Sequence, residues 1–108
     1  MRRLHDSSTY DARQIRLTQE IVRCIRSSLE AVGIEGESLK FATSDIAFSV
    51  TCAVDGSTHI EIGDDDHLVP ILGFAEGRMR DRLLVPEGGG SSLHEFVPGI
   101  VAQEFDEV

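Results

Sequence analysis

Along the first third of the chain, apolar side chains fall at Ile15, Val22, Ile25, Leu29 and Val32, with Thr18 filling the gap in a 3-4-3-4-3 spacing. That rhythm keeps one stripe on one face of an α-helix. Leu17, Ile21 and Cys24 widen the stripe on one side, while Arg13, Arg16, Glu20, Arg23, Arg26 and Glu30 take the remaining surface. Arg16–Glu20 and Arg26–Glu30 stand four residues apart, where opposite charges support an exposed helix. Asp6, Ser7, Ser8 and Thr9 offer N-caps, and Gly33 suits the left-handed residue just past the end. The pattern predicts a long helix over about residues 8–32.

From residue 46 the period changes to two. Ile46, Phe48, Val50, Cys52 and Val54 alternate with Ala47, Ser49, Thr51 and Ala53, the signature of a strand with one apolar face. Asp55-Gly56 reads as a hairpin turn with residues 57–62 returning. A two-residue loop would mix Glu61 and His59 into the apolar face. A three-residue loop with Gly56 left-handed sets Val50 opposite Ile60 and Phe48 opposite Ile62, so burial selects that register.

Beyond Gly63 two readings compete. Asp64, Asp65 and Asp66 can cap a helix running from His67 to about Leu84, although Gly73 and Gly77 each cost it about 1 kcal/mol. Alternatively residues 67–74 form a third strand, at an edge because of Pro70, with a helix starting near Ala75. The second is preferred. Residues 86–92, Pro-Glu-Gly-Gly-Gly-Ser-Ser, read as a flexible loop, and the tail alternates apolar and acidic residues around Pro98-Gly99 with a short helix after Pro98. The expected fold class is α+β. A long N-terminal amphipathic helix packs on a small antiparallel hairpin or three-stranded meander, followed by a shorter helix and an irregular C-terminal tail.

Length and charge narrow the function. A chain of 108 residues has room for one domain, and 41% hydrophobic residues argue against global disorder. The net charge of −9 is uneven. Residues 1–33 carry six Arg against four acids, a balance of +2, and residues 34–108 carry Lys40, Arg78, Arg80 and Arg82 against fifteen acids, a balance of −11. An acidic body repels phosphate, so neither direct nucleic-acid nor membrane binding is expected. It favours a protein partner with a basic surface. The start of the chain meets acid before any apolar run, no apolar stretch is long enough to span a bilayer, and Cys24 and Cys52 fit no CxxC pattern. A cytoplasmic protein with reduced thiols is expected.

Candidate chemistry is thin. His59, Glu61, Asp64, Asp66 and His67 have metal-ligand character, and a metal-binding or metal-dependent hydrolytic domain is the alternative function. Consecutive aspartates cannot converge on one ion, however, and the spacing matches neither an EF-hand nor the zinc-deaminase signature. The glycine run at 88–90 lacks the Lys of a P-loop. His5, His59, His67 and His94 have no GxSxG serine, and both cysteines fall on apolar stripes. Arg13, Arg16, Arg23 and Arg26 form a basic helix face interrupted by Glu20 and Glu30, better read as ion-paired.

No catalytic residue and no cofactor is therefore expected. The expected function is non-enzymatic protein binding, as a small acidic adaptor, chaperone or inhibitor, with nucleic-acid mimicry one version. Candidate contacts are Glu61, Asp64, Asp65, Asp66, Glu87 and Glu95. Leu17, Ile21 and Cys24 supply a seam for a second copy or a partner helix, which makes a homodimer an expected variant. The order of a long helix, the Gly33-Ile34 exit and then strands resembles the opening of small acidic type III secretion chaperones. That resemblance implies a dimer that holds effector segments.

Overall fold

The computed structural model describes residues 2–106. A short strand β1 (Arg2–His5) leads into helix α1 (Ser7–Ala31), and a second helix α2 (Gly36–Val54) follows. Four short strands come next, β2 (Ile60–Gly63), β3 (Asp66–Leu68), β4 (Phe74–Glu76) and β5 (Arg82–Val85), before helix α3 (Leu93–Glu104). The class is α+β.

Helix α1 forms where the periodicity places it. Asp6 is its N-cap, and its carboxylate accepts from the Thr9 backbone N–H at 3.2 Å. Arg16–Glu20 and Arg26–Glu30 pair at 2.7 and 3.5 Å. Past the end, Gly33 N–H donates to Glu30 C=O and Ile34 N–H to Leu29 C=O, with Gly33 at φ +91. That is a Schellman cap. The buried face is rotated from the expected stripe, however. Tyr10, Gln14, Thr18 and Val22 are inside, while Ile15 is partly and Val32 mostly exposed.

The expected strand at 46–54 is not a strand. Those residues complete α2, and the pairing of Val50 with Ile60 and of Phe48 with Ile62 does not exist. Asp55-Gly56 ends the helix instead of turning a hairpin. Gly56 at φ +78 donates to Ala53 C=O and Ser57 to Cys52 C=O, a second Schellman cap. A left-handed glycine serves either turn, so the dipeptide alone does not discriminate. The buried positions of α2 are Leu39, Thr43, Ala47 and Thr51, one every four residues. Small side chains there let α2 lie close to α1 and α3. The shared core is Val22, Ala47, Val97, Ile100 and Val101, flanked by Ile25, Phe96 and Phe105.

The helix expected from Ala75 is also absent. Gly77 at φ +90 and Arg80 at φ 53 turn the chain between β4 and β5, two strands of an antiparallel hairpin. β5 in turn pairs in parallel with β1, giving the sheet order β1-β5-β4. Leu4, Leu84 and Phe74 share the face towards α1, where Leu84 is buried and the Phe74 ring meets Tyr10 edge-on at 5.4 Å. The tail is not irregular with a helix begun at Pro98. α3 starts five residues earlier and carries Pro98 inside it, because Leu93, Val97, Ile100 and Val101 form a stripe the bundle buries.

β2 and β3 make a separate antiparallel ribbon, with Ile60 opposite Leu68, Glu61 opposite His67 and a bulge between Glu61 and Gly63. This arm packs chiefly on itself. The radius of gyration is 15.8 Å, against about 13 Å for an ordinary domain of this length.

Candidate functional site

Three features of this fold carry polar or unpartnered groups. The first joins the helices. Asp55, at the C-terminal end of α2, has a side chain with 0% exposure. Its carboxylate accepts from the Ser91 hydroxyl at 2.6 Å and from the His94 backbone N–H at 2.8 Å, and the His94 ring Nδ1 lies 2.6 Å away. Burial works to raise the Asp55 pKa, but these donors and the Leu93 backbone N–H outweigh it and hold the group below its ordinary 3.8. The carboxylate thus closes the N-terminus of α3, where a negative charge meets the helix dipole favourably. Gln14 adds a second tie, its Oε1 accepting from Ser92 N–H at 2.6 Å.

An Asp–His pair invites a catalytic reading, and here its carboxylate is hydrogen-bonded to the start of α3. Ser91 gives its proton to Asp55, not to His94, and the ring's open side faces Phe48 edge-on with centroids 5.9 Å apart. The cluster is arranged as a helix cap. Sequence reasoning named His94 but missed Asp55, because Asp-Gly satisfied a hairpin turn equally well.

The second feature is a cleft of about 690 Å³ over the sheet face turned away from α1. Arg3, His5, Leu83 and Val85 form one wall, and Val69, Pro70, Ile71 and Gly88–Gly90 form the other. Its walls are mostly apolar, with Arg3 and His5 as exposed polar groups. The backbone packs tightly here: a Cβ at Gly73 would stand 3.0 Å from Leu83 Cδ1.

The third is the β2–β3 arm. Ile62 is 60% and Leu68 48% exposed, and Glu61, Asp64, Asp65 and Asp66 are exposed on the same arm, with Glu61 on the opposite ribbon face from Leu68. Asp65, at φ 61, makes the turn. Of the acidic residues singled out by sequence, these four lie together on the arm. Glu87 and Glu95 do not join them: Glu87 accepts from the Ser7 hydroxyl at 3.0 Å, and Glu95 lies in the first turn of α3. His59, Glu61, Asp64, Asp66 and His67 line one open concavity of the arm, with the two imidazoles 5.1 Å apart and His59 Nε2 3.4 Å from Glu61. Among the described residues, no three His, Cys, Asp or Glu side chains are grouped as a metal ion needs.

The expected seam on α1 is partly covered: Leu17 and Ile21 are half-buried and Cys24 is exposed. Larger apolar groups are exposed on α2 instead, with Phe41 76% exposed and Phe48 beside a shallow groove closed by Val97 and Pro98. No helix among the described residues is long and apolar enough to cross a membrane.

The domain is of the α+β class, and comparison with protein-family models, curated proteins and solved structures finds no match. The likeness to secretion chaperones loses its footing as well, since it needed strands directly after the Gly33-Ile34 exit and a second helix stands there.

Proposed function

We propose that this protein is a non-enzymatic protein-binding domain, an acidic adaptor, chaperone or inhibitor whose β2–β3 arm engages a basic, partly apolar surface of a partner. The observation that carries the reading is the arm itself. A two-stranded ribbon is marginal in water, and this one leaves Ile62 and Leu68 uncovered on an arm that also exposes Glu61, Asp64, Asp65 and Asp66. Exposed apolar side chains close to charged ones suit a protein interface. The acidic residues add orientation and speed encounter with a cationic surface, including one that otherwise receives nucleic acid. Cys24 and Cys52 are both free thiols, which fits work in a reducing, cytoplasmic setting.

Titration of isotope-labelled protein with a peptide alternating Leu and Lys tests this reading. Shifts should concentrate in residues 60–71 and fade with added salt, and replacing Ile62 and Leu68 by Ser should abolish them. Shifts spread over α1, or none at all, defeat the proposal.

A further inference from the structure

The cationic side chains fall into two groups. In α1, Arg13 pairs with Glu76, Arg16 with Glu20, Arg23 with Glu20 and Glu104, and Arg26 with Glu30, and in α2 Lys40 also has a partner. The remaining arginines, Arg2, Arg3, Arg78, Arg80 and Arg82, are exposed. Among the described residues, none of these five forms an ion pair. All five belong to β1, to β5 or to the turn between β4 and β5. The register sets Arg2 beside Arg82, and Arg2 N–H donates to Asp81 C=O at 2.9 Å, so Arg2, Arg78, Arg80 and Arg82 gather at one end of the sheet, with Arg3 on its other face.

This gathering works against the stability of the isolated chain. Arg2 and Arg82 are neighbours on one sheet face, and adjacent like charges repel. Glu76 stands in register with Arg82 on its other side, yet its carboxylate bonds Arg13 at 2.6 Å. Arg80 holds a left-handed conformation that a long side chain rarely adopts. Asp81, in the same turn, offsets part of this charge, yet the surface stays net cationic and strained, which points outward, to a further anionic group.

We propose that this arginine end is the docking site for the acidic arm of a second copy, so that the protein self-associates head to tail. The inference rests on the arm being the binding element. The two surfaces are complementary in both respects that matter. Asp64, Asp65 and Asp66 at the turn of the arm face the guanidinium groups, and Ile62 beside that turn meets Met79, which is 83% exposed between Arg78 and Arg80. Nucleic acid fits less well, because the cluster offers no aromatic ring for base stacking and the chain as a whole carries −9. Since the arm and the arginine end are different surfaces, every joined pair keeps one free surface of each kind and growth continues.

Sedimentation velocity over about 5–500 µM protein, in about 20 mM and about 0.5 M salt, reads the association and its screening. Wild-type mass should rise with concentration at low salt and revert towards monomer at high salt. An arm variant (Asp64→Asn, Asp65→Asn, Asp66→Asn) and a turn variant (Arg78→Gln, Arg80→Gln) should each be monomeric alone. Mixed, they should form a one-to-one dimer and nothing larger, because only one complementary junction survives. If the turn variant melts early, Arg2→Gln with Arg82→Gln replaces it.

A wild type that stays monomeric throughout, a mixture that fails to pair, or an arm variant that still associates overturns the inference. So does a single-stranded oligonucleotide that binds wild type, spares the turn variant and leaves the protein monomeric. Because the turn variant keeps its arm, the Leu–Lys peptide can be titrated into it. Peptide binding without self-association removes this inference and leaves the binding-domain reading standing.

Discussion

Removing the Asp55 carboxylate should destabilise the fold more than any exposed substitution. In Asp55→Ala the Ser91 hydroxyl and the His94 backbone N–H lose their acceptor, and Ser91 is buried. A donor left unpaired in the interior costs about 1–3 kcal/mol, and loss of a helix cap about 1 kcal/mol. Because these describe overlapping losses, a total of about 3 kcal/mol is expected. In a chain of this size that lowers Tm by about 12–18 °C. Asp55→Asn keeps one acceptor but loses the charge, and should cost about 1–1.5 kcal/mol.

Acid offers a second readout. Folding holds Asp55 below its ordinary 3.8, so the stabilisation from its ionised form is present above that value and is lost as pH falls through the depressed one. The gap between wild type and Asp55→Asn should therefore be full at pH 7 and shrink below about pH 3.8. Urea unfolding followed by circular dichroism at both pH values measures it. A loss under about 1 kcal/mol for Asp55→Ala, or a gap that ignores pH, refutes the cap.

Three further outcomes follow from the packing. Thr43 is fully buried and its Oγ1 has no hydrogen-bond partner among the described residues, so Thr43→Val should raise stability by about 1 kcal/mol in urea unfolding, and a drop would mean that the hydroxyl is satisfied. Gly33 and Gly77 have nearly equal φ, +91 and +90, but a Cβ meets nothing within 4 Å at Gly33 and Asp81 Oδ1 at 2.7 Å at Gly77. Gly77→Ala should therefore lower Tm further than Gly33→Ala, and equal losses would show that the turn relaxes freely. Replacing Ile62 and Leu68 by Ser should shift stability by no more than about 0.5 kcal/mol each. A large loss on thermal melting would place the arm inside the core.

What the sequence determined by itself was local. The span of α1, its Asp6 cap, its Gly33 exit and its ion pairs all depend on residues within one or two turns of each other, and all were legible. The acidic turn at 64–66 and its exposure were legible too. Residues 46–54 were not. Ile46, Phe48, Val50 and Cys52 alternate as a strand would, yet successive members of that set lie about 200° apart on a helix and divide between two faces. Only the bundle decides between the periods. α2 meets α1 and α3 closely through Thr43, Ala47 and Thr51, and that approach turns Phe41 and Phe48 outward. The parallel pairing of β1 with β5, and the capping of α3 by Asp55 from the end of α2, join residues that are far apart in the chain. Such pairings leave no periodic trace, so tertiary structure alone assembled the arginine end and the Asp55 cap.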